Sequence, residues 1–587
     1  MPTLSWIGKP AVLTHHRTVP FRLLTAVKSH TFHPASGDGN LLVEGDNLHA
    51  LKSLLPFYAR SIKAIYIDPP YNTGNEKWEF NDNVNHPDIQ KWLGTVVGKE
   101  SEDLTRHDKW LCMMYPRLIL LRELLRDDGV IFISIGNDEF GHLRLICDEI
   151  FGSRNLLETF IRQFEGNVEN QEDITGTHDY VLAYEKRHGL AHINRTVDPN
   201  VADDSKLRRD FAENSTVKNG ARNPASVVHL PAGFPCAVRS LDLPADPHAE
   251  EFVQAIESGD GYISRDARDK WGLHMPVRLD DMQVRDFALV RPCRVYSGWS
   301  SGTKFRLFIT NDCQPIEDDD GSKLRYYLSN TGVPTYKREN RMAHFVPTIL
   351  RNMGTTERAS NELERMGVQF SYPKPVEFVQ YLLSLVVNDG DTVLDAFAGS
   401  GTAGHAALQL ARDSEISLRF VLVELETRVA QNVTAPRLKA AIQGYRPVRG
   451  SRRNSVPGLG GGFTYCRLGT SLFNSSGQIQ DEVSYDALAR HVYFSETRKP
   501  LNGRPESPPL LGSTDDLTVY LLYNGVLDDR SRTGGNVLTR NVLRQLPIAP
   551  HSDGVRVIYG TGCTLSQSFL RQRNIVFKQI PYEIRIS

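Results

Sequence analysis

The 587-residue chain lacks several features that would place it in a broad class of proteins. Its seven cysteines are scattered and form no CxxC or Cys/His cluster, which predicts reduced thiols, a cytoplasmic protein and no bound metal. No apolar run approaches 18 residues, and no basic segment followed by an apolar core opens the chain. We therefore expect neither a membrane span nor a signal peptide. The net charge of −2 means that any nucleic-acid binding needs a local basic surface.

The most informative feature is a tetrad made of Asp68, Pro69, Pro70 and Tyr71. It follows the apolar run 64–67, which predicts a short buried parallel strand, so the tetrad lies at the sheet edge where α/β proteins bind ligands. Two consecutive prolines stiffen the loop. The arrangement of these four residues suits a planar ring with an exocyclic amino group. Asp68 and a proline carbonyl can accept hydrogen bonds from the two amino protons, while Tyr71 stacks on the ring. The plain alternative is a Pro-Pro turn with a surface aspartate.

The chain alternates strand and helix patterns in its first part, and the alternation returns near residue 371. Repeated strand–helix units predict a parallel α/β sheet. Between them the sequence is rich in Arg, Asp, Gly and Pro in short mixed segments, and residues 451–455 and 458–462 are typical of a linker. The predicted parts are 1–185 with the tetrad, the insert 186–352, a second α/β half at 353–450, and 451–587 with the linker and a C-terminal domain.

A second candidate loop follows the predicted strand 392–396. Its small residues let the backbone approach a ligand, and the start of the following helix favours negative charge. Glu424 ends the next predicted strand, where it can accept hydrogen bonds from both ribose hydroxyls of a nucleoside. The residues of the loop assigned to cofactor binding are Asp395, Phe397, Gly399, Gly401 and Thr402.

The same loop leaves two readings of the cofactor open. Gly399, Gly401 and Gly404 fit the dinucleotide fingerprint GxGxxG, and Glu424 lies about 20 residues further on, where that fingerprint requires an acid. A nicotinamide-dependent oxidoreductase is therefore the rival function, and a glycine turn that packs a helix on a sheet is the plain alternative. However, Asp395-x-Phe-x-Gly-x-Gly resembles the S-adenosylmethionine loop, and the tetrad explains an amine acceptor but not hydride transfer.

Two further positions are candidates for cofactor binding. Asp46 follows a predicted strand end, so it can either accept from the adenine amino group of the cofactor or cap the next helix, and both readings stay open. Lys374 and Pro375 precede a predicted helix and can line the pocket around the methionine end of the cofactor. A proline at a helix start is common in any case.

The order of these motifs resembles that of the permuted β-class amino-methyltransferases of DNA. It runs GDN (45–47), DPPY (68–71), a long insert, YPKP (372–375), FAGSGT (397–402) and then Glu424. In particular the chain resembles the modification (Mod) subunit of type III restriction–modification systems over nearly its whole length. Residues 67–75, 177–184 and 577–582 also look like segments of that family.

This resemblance implies a permuted Rossmann-like methyltransferase sheet with an inserted target-recognition domain and a smaller C-terminal α/β domain. It implies S-adenosyl-L-methionine as cofactor, double-stranded DNA as substrate, a homodimer and pairing with a helicase–nuclease restriction subunit. Asp68 at the head of the tetrad implies methylation of adenine N6, with Pro69, Pro70 and Tyr71 as the other catalytic positions. A stand-alone methyltransferase, a non-catalytic specificity subunit and an enzyme acting on protein or RNA stay open as alternatives.

The insert interleaves cations with aromatic residues, which can hold phosphates and base edges. The alternative is a solvated surface around core aromatics. The residues in question are Arg294, Tyr296, Trp299, Lys304, Arg306, Tyr336, Lys337, Arg338, Arg341, His344 and Arg351.

Overall fold

The structure of the protein is a computed structural model. It describes residues 3–32, 39–73, 94–95, 105–164, 176–202, 204–205, 208–209, 211–318, 321–339, 345–447, 455–474, 478–501, 503, 505, 508–514, 516–523, 536–548 and 554–580.

The strands are, in chain order, β1 Arg22–Ala26, β2 Leu41–Glu44, β3 Ile62–Ile67, β4 Leu125–Ile135, β5 Leu156–Gln163, β6 His178–Glu185, β7 Ala212–Ser215, β8 Ala225–Leu230, β9 Ser240–Leu243, β10 Val277–Arg278, β11 Met282–Arg285, β12 Ala288–Leu289, β13 Cys293–Gly298, β14 Ile316–Glu317, β15 Lys323–Leu328, β16 Pro334–Glu339, β17 Ile349–Leu350, β18 Thr392–Asp395, β19 Arg419–Glu424, β20 Gly444–Tyr445, β21 Val456–Pro457, β22 Thr464–Ser471, β23 Leu510–Ser513, β24 Leu517–Leu521, β25 Val537–Leu538, β26 Val555–Gly560, β27 Gly562–Cys563 and β28 Ile575–Gln579.

The α-helices are Lys9–Val12, His15–Thr18, Asn47–Tyr58, Arg106–Leu124, Asn137–Cys147, Ala249–Glu257, Arg265–Trp271, Gly302–Thr310, Thr356–Arg365, Val376–Ser384, Thr402–Asp413, Thr427–Val429, Ala435–Gln443, Tyr485–Thr497, Arg540–Gln545 and Gln567–Arg571. Two π-helical turns (Asp148–Gly152 and Ala430–Thr434) and one 3-10 turn (Ser153–Asn155) accompany them. Within the described ranges, none of these helices has the length and apolar character needed to cross a membrane.

Ten strands form one sheet in the order β1-β22-β2-β19-β18-β3-β4-β6-β5-β17. The strands from β22 to β4 are parallel neighbours, whereas β1 and β6 run antiparallel to the strands they join. Strand β18, from late in the chain, lies between β19 and β3. The carboxyl ends of β2, β19, β18 and β3 therefore meet at one edge, which is where such sheets bind ligands. The predicted α/β fold with a permuted, Rossmann-like sheet is confirmed.

The centre of this sheet is covered on both faces. All six residues of β3 are buried, which is why residues 64–67 form an apolar run. Ile65 and Ile67 belong to the main core together with the helices Asn47–Tyr58 and Arg106–Leu124. Tyr66, which points to the opposite face, lies 6.3 Å from Phe378 of the helix Val376–Ser384 between ring centroids.

The residues Arg195–Val346 form a compact unit of their own. It contains three small sheets, in the orders β10-β13-β8, β12-β11-β9 and β14-β15-β16-β7, whose pairings are antiparallel. The sequence predicted an insert at 186–352, which extends beyond this compact unit at both ends. Its role as a recognition domain stays a prediction.

Two aromatic residues of this unit, for which the sequence left nucleic-acid contact and core packing open, lie in its core. Tyr296 and Trp299 are 0% and 5% exposed, because they fill the centres of two apolar clusters. Arg294 is paired with Asp280, with both nitrogen–oxygen distances at 2.9 Å. Arg341 and His344 lie outside the described residues, and Arg351 falls in the other unit.

The other compact unit comprises Met1–Asn194 and Pro347–Ser587. Past the predicted linker, β22 inserts beside β2 in the large sheet, and the helix Tyr485–Thr497 shares the main core. A four-stranded sheet, β23-β24-β26-β28, follows within this unit. The boundary drawn at 450/451 therefore does not separate a compact body, because the chain returns to the large sheet after it.

Candidate active site

A cavity of about 310 Å3 lies at the carboxyl ends of β3 and β18 and brings the two predicted loops together. The predicted site residues that line it are Asp68, Pro69, Pro70, Tyr71, Lys374, Asp395, Phe397, Gly399 and Thr402. The remaining predicted positions are outside the lining: Asp46, Pro375, Gly401 and Glu424. The roles of all thirteen residues in catalysis and binding stay predictions, and their positions follow.

Lys374 contacts the tetrad directly. Its ammonium lies 2.9 Å from Asp68 Oδ1 and donates to the Tyr71 hydroxyl at 3.0 Å. The same ammonium is 4.7 Å from the centre of the Tyr71 ring. The predicted place for Lys374 was the methionine end of the cofactor. In the structure its charge contacts the aspartate and the tyrosine of the acceptor loop, and its place beside the cofactor stays a prediction.

Two buried side chains behind Tyr71 were not predicted as site residues. Asp179 accepts from the Tyr71 hydroxyl at 3.0 Å, and Arg162 Nη1 approaches Asp179 Oδ2 at 3.4 Å. Burial raises the pKa of Asp179, although Lys374 and Arg162 act in the opposite direction. Asp179 lies in the 177–184 segment that resembled the family, so the sequence did carry a signal for it, whereas Arg162 had none.

The shape of the tetrad loop depends on close packing. Trp110 donates its ring N–H to the Pro70 carbonyl at 2.7 Å, so that carbonyl already has a donor and Pro69 supplies the candidate acceptor. Gly136 follows β4 at the back of the Tyr71 ring. A Cβ at Gly136 would lie 2.8 Å from Tyr71 Cδ2, closer than ordinary contact. A glycine is needed there because the aromatic ring occupies the space.

The residue after the tetrad is anchored by a buried glutamate. Asn72, at a left-handed φ of 56°, donates to Glu139 Oε1. Glu139 also contacts His107 Nδ1 at 2.7 Å and His142 Nδ1 at 2.8 Å. These three side chains are a group within the described residues that has the ligand types and spacing for a metal ion. Glu139 accepts hydrogen bonds from both rings and fixes the end of the loop.

The second loop is held by its own backbone. Asp395 Oδ1 accepts from the Phe397 amide at 2.9 Å. Glu424 accepts from the Gly399 amide at 2.8 Å and from the Glu426 amide at 2.9 Å. Burial raises the pKa of Asp395 well above its usual value and that of Glu424 to about 7. A carboxylate held in this way can still accept ribose hydroxyls, because each oxygen has a further lone pair.

Gly401 closes this loop in the left-handed region at φ 81°. A Cβ there would lie 2.9 Å from Thr434 Cγ2, so the backbone has no room for a side chain. Thr402 begins the next helix and donates to the Lys374 carbonyl at 3.2 Å. This hydrogen bond joins the cofactor loop to the segment 372–375. The buried Arg437 donates to Ser400 Oγ and Thr402 Oγ1, both at 2.8 Å.

Asp46 takes the capping role that the sequence left open. Its carboxylate caps the helix Asn47–Tyr58 by accepting from the His49 amide at 3.1 Å, and Arg117 donates to it at 3.0 Å. Burial opposes ionisation, but Arg117 and His49 still hold the pKa of Asp46 below its usual value. The neighbouring Asn47 donates to the Ala396 carbonyl at 3.0 Å and so connects β2 to the cofactor loop. An additional contact from Asp46 to a cofactor stays a prediction.

The fold and the site define a class of enzyme. A mostly parallel sheet carries a proline-stiffened loop with a carboxylate beside a glycine loop, and the neighbouring strand β19 ends in an acid. Small residues line the cofactor side of the cavity, which leaves room for a nucleoside to approach the backbone. This is the arrangement of a methyltransferase that uses S-adenosylmethionine.

The comparison with known families agrees. A protein-family model described as DNA methylase (N6_N4_Mtase) matches residues 62–434. The chain belongs to this family, and it is an S-adenosylmethionine-dependent DNA methyltransferase. The prediction from the motif order is confirmed, and the nicotinamide reading of the GxGxxG pattern has no support from the family.

Similar proteins include three restriction–modification subunits. The Mod subunit of the type III enzyme EcoP15I from Escherichia coli is 27% identical over 89% of this chain and 78% of its own length. The EcoPI Mod subunit of Escherichia phage P1 is 28% identical over 76% of this chain, and the StyLTI Mod subunit of Salmonella typhimurium is 27% identical over 70%. The matches span 66% and 56% of these last two relatives.

Solved structures resemble the chain more distantly. TTHA0409 of Thermus thermophilus is 15% identical, with a TM-score of 0.30, over 73% of this chain and all of its own. The PvuII cytosine-N4-specific DNA methyltransferase is 12% identical, with a TM-score of 0.27, over 68% of this chain and 86% of its own. At these TM-scores the likeness supports no conclusion about activity.

Proposed function

We propose that the protein methylates adenine N6 in duplex DNA, as the modification and specificity subunit of a type III restriction–modification system. The observation that carries this proposal is the shared cavity, which places the Asp68 carboxylate, the Pro69 backbone and the Tyr71 ring opposite the cofactor loop. An aspartate at the first position of the tetrad favours adenine over cytosine as the target base. The similarity to Mod subunits supports a role in a type III restriction–modification system. The seven cysteines are free thiols, in keeping with a protein of the cytoplasm.

The target adenine must leave the duplex before its amino group can enter this cavity. Flipping a base costs a few kcal/mol. Stacking on the Tyr71 ring returns about 1–3 kcal/mol, the scale for a base on an aromatic side chain. The hydroxyl of Tyr71 is held by Asp179 and Lys374, so the ring is fixed before the base arrives.

The acceptor loop then prepares N6 for attack. An aromatic amine is a poor nucleophile because its lone pair is delocalised into the ring. When Asp68 and the Pro69 carbonyl accept hydrogen bonds from its two N–H groups, N6 moves toward tetrahedral geometry and its lone pair is exposed. S-adenosylmethionine supplies a methyl group that already carries its activation. As N6 gains positive charge, the fixed Asp68 carboxylate stabilises it, and one of the two N6 protons is then lost to solvent. Catalysis is mainly positioning and electrostatics.

The function is tested by long-read sequencing that detects modified bases. DNA from cells with the wild-type gene is compared with DNA from cells carrying Asp68→Ala. We expect N6-methyladenine at one defined sequence motif in the first sample only. N4-methylcytosine, or equal modification in both samples, would contradict the proposal. Methyl transfer to RNA or protein but not to duplex DNA would favour the alternative of an RNA- or protein-directed methyltransferase.

We infer that the Arg195–Val346 unit reads the target sequence. The catalytic loop contacts only the flipped base, so the flanking bases must be read elsewhere. Replacing this unit with that of a relative with a different target should transplant the methylation motif, as read by modified-base sequencing. An active chimera that keeps the parental motif would indicate that the target sequence is read by the part of the chain after residue 458.

The proposed assembly is a homodimer that pairs with a helicase–nuclease subunit. Light scattering of the purified chain tests the first part, and a monomer mass would contradict it. Co-expression with any helicase–nuclease gene found beside this one tests the second, since a type III system requires co-purification of both chains. A functional methyltransferase without any such partner would instead be a stand-alone enzyme.

A further inference from the structure

A second cavity of about 310 Å3 lies at the opposite end of β3 from the active site. Arg60 in its wall comes two residues before β3, whereas Asp68 directly follows that strand. Six strand residues span about 20 Å, so the two cavities are well separated. Cationic side chains dominate the wall, and they are Arg17, Lys52, Arg60, Arg122, Lys186 and Arg498.

The positive charge of this cavity is only partly balanced. Glu123 is the one acidic residue in its lining, and its side chain is exposed. Asp127 approaches Lys186 from outside the lining, at 3.8 Å. Burial lowers the pKa of His16 to about 4, so that ring is neutral at pH 7. Leaving aside Arg498, which has a further contact of its own, the other five cations face two carboxylates within the described part of this region.

The two lysines are buried among these charges. Lys52 is 2% exposed and donates to the His16 carbonyl at 2.8 Å, while Lys186 is 7% exposed and donates to the Leu125 carbonyl. Burial, together with neighbouring arginines, lowers the pKa of each lysine to about 8, and Glu123 or Asp127 acts in the opposite direction. Arg122 Nε is also buried, without a hydrogen-bond partner among the described residues. A bound anion would stabilise all of these groups.

We propose that this cavity binds a compact oligophosphate, either inorganic or the phosphate tail of a nucleotide. Guanidinium groups match phosphate oxygens in pairs, and lysines add point charges. The volume is at the lower end of the range for small-ligand sites. A DNA backbone carries its phosphates on a convex surface, so a concave cavity ringed by cations fits it less well. Leu55, Ala59 and Phe494 form an apolar part of the wall that can take a nucleotide's base.

The test is calorimetry of the full chain without S-adenosylmethionine or DNA. Sodium tripolyphosphate and ADP are the two ligands, and sodium sulfate at equal ionic strength controls for screening. Arg60→Gln and Arg17→Gln each remove one exposed cation from the wall. Arg154→Gln is the matched control, because Arg154 is exposed and lies outside the cavity. Asp68→Ala serves as a second control, and thermal melting verifies that all variants fold.

We expect wild type, Arg154→Gln and Asp68→Ala to bind tripolyphosphate equally and more tightly than sulfate. Each cavity variant should weaken binding about tenfold, the change that 1.4 kcal/mol produces. If ADP binds at least as tightly as tripolyphosphate, the ligand of the cavity is a nucleotide. If ADP does not bind, the ligand is an inorganic oligophosphate.

Three outcomes would overturn the proposal. The first is no binding beyond that of sulfate. The second is equal weakening by Arg154→Gln, which would mean that only net charge matters. The third is displacement of tripolyphosphate by a short duplex together with weaker DNA binding in the cavity variants, because the surface would then belong to the DNA interface. None of these results bears on methyl transfer, so the proposed function is tested separately.

Discussion

The two loops of the active site are stabilised in different ways. The acceptor loop at 68–71 is held by side chains from distant parts of the chain, through Lys374, Asp179 and Trp110. The cofactor loop at 395–402 is held mainly by backbone amides that donate to Asp395 and Glu424. The first arrangement places charge around a reacting atom, whereas the second fixes a shape that a nucleoside can approach.

The carboxylates of the two loops differ accordingly. The Asp68 side chain is 27% exposed and faces the cavity, so it can meet an incoming amine. Asp395 and Glu424 are 2% and 3% exposed, and their oxygens accept from the backbone. We therefore expect changes in the acceptor loop to affect turnover and changes in the cofactor loop to affect cofactor affinity.

The largest effect should come from Asp68→Ala. It removes a fixed contact to the amine during transfer, and a loss of about 10³-fold in turnover, roughly 4 kcal/mol, is the scale of such a contact. Cofactor affinity should stay nearly unchanged, because Asp68 belongs to the acceptor loop. Tritium transfer from labelled S-adenosylmethionine to plasmid DNA measures the first quantity and calorimetry the second. Asp413→Ala, at the end of a helix, is the control, and near wild-type turnover in Asp68→Ala would remove the proposed role.

Gly401→Asp should give the next largest effect, on the other loop. A left-handed φ costs about 1–2 kcal/mol for a residue with a side chain, and overpacking against Thr434 adds about 1–3 kcal/mol. We expect about 10²-fold weaker S-adenosylmethionine binding, with gel-shift DNA binding unchanged. Gly460→Asp is the matched control, since its φ is 82° and a Cβ there meets open space. Equal losses in both variants would mean that strain alone, and not the loop's shape, is responsible.

A smaller effect on turnover should follow from Gly136→Ala. The added methyl would press on the Tyr71 ring at 2.8 Å and shift the surface on which the base stacks. Overpacking of about 1–3 kcal/mol predicts about a tenfold loss of methyl transfer with cofactor affinity unchanged. Gly141→Ala adds the same methyl in open space and should have no effect. If cofactor affinity fell as well, the two loops would not be separable.

The last effect is on stability and not on turnover or cofactor affinity, and it concerns the pH dependence of unfolding. Glu424 has its pKa raised to about 7 by burial, so the folded protein holds a proton there that the unfolded chain releases near pH 4.5. A raised folded pKa gives stability that is complete below pH 4.5 and lost as pH rises to about 7, at about 1.4 kcal/mol per pH unit. Glu424→Gln cannot titrate, so its unfolding free energy relative to wild type should change over this window and level off above pH 7. Urea unfolding measures it, with Glu364→Gln as control, and a constant difference would contradict the buried, protonated state.

Some positions were predictable because their signal is local. The prolines after β3, the glycines before the helix Thr402–Asp413 and the acid at the end of β19 each follow from strand endings and turn chemistry. The insert was recognised by its composition alone, and composition does not distinguish a surface aromatic from a core one. For Tyr296 and Trp299 the sequence therefore left nucleic-acid contact and core packing open, because burial depends on which strands pair within the unit.

By itself, the sequence determined the strand–loop motifs, their order and hence the family, because prolines, glycines and apolar periodicity act over a few residues. Only the tertiary structure decided which charges meet. Lys374 reaches Asp68, and Asp179 reaches Tyr71, across more than one hundred residues of chain. These contacts exist because β18 lies beside β3 and β6 beside β4, and strand order is set by packing of the whole sheet rather than by any local pattern.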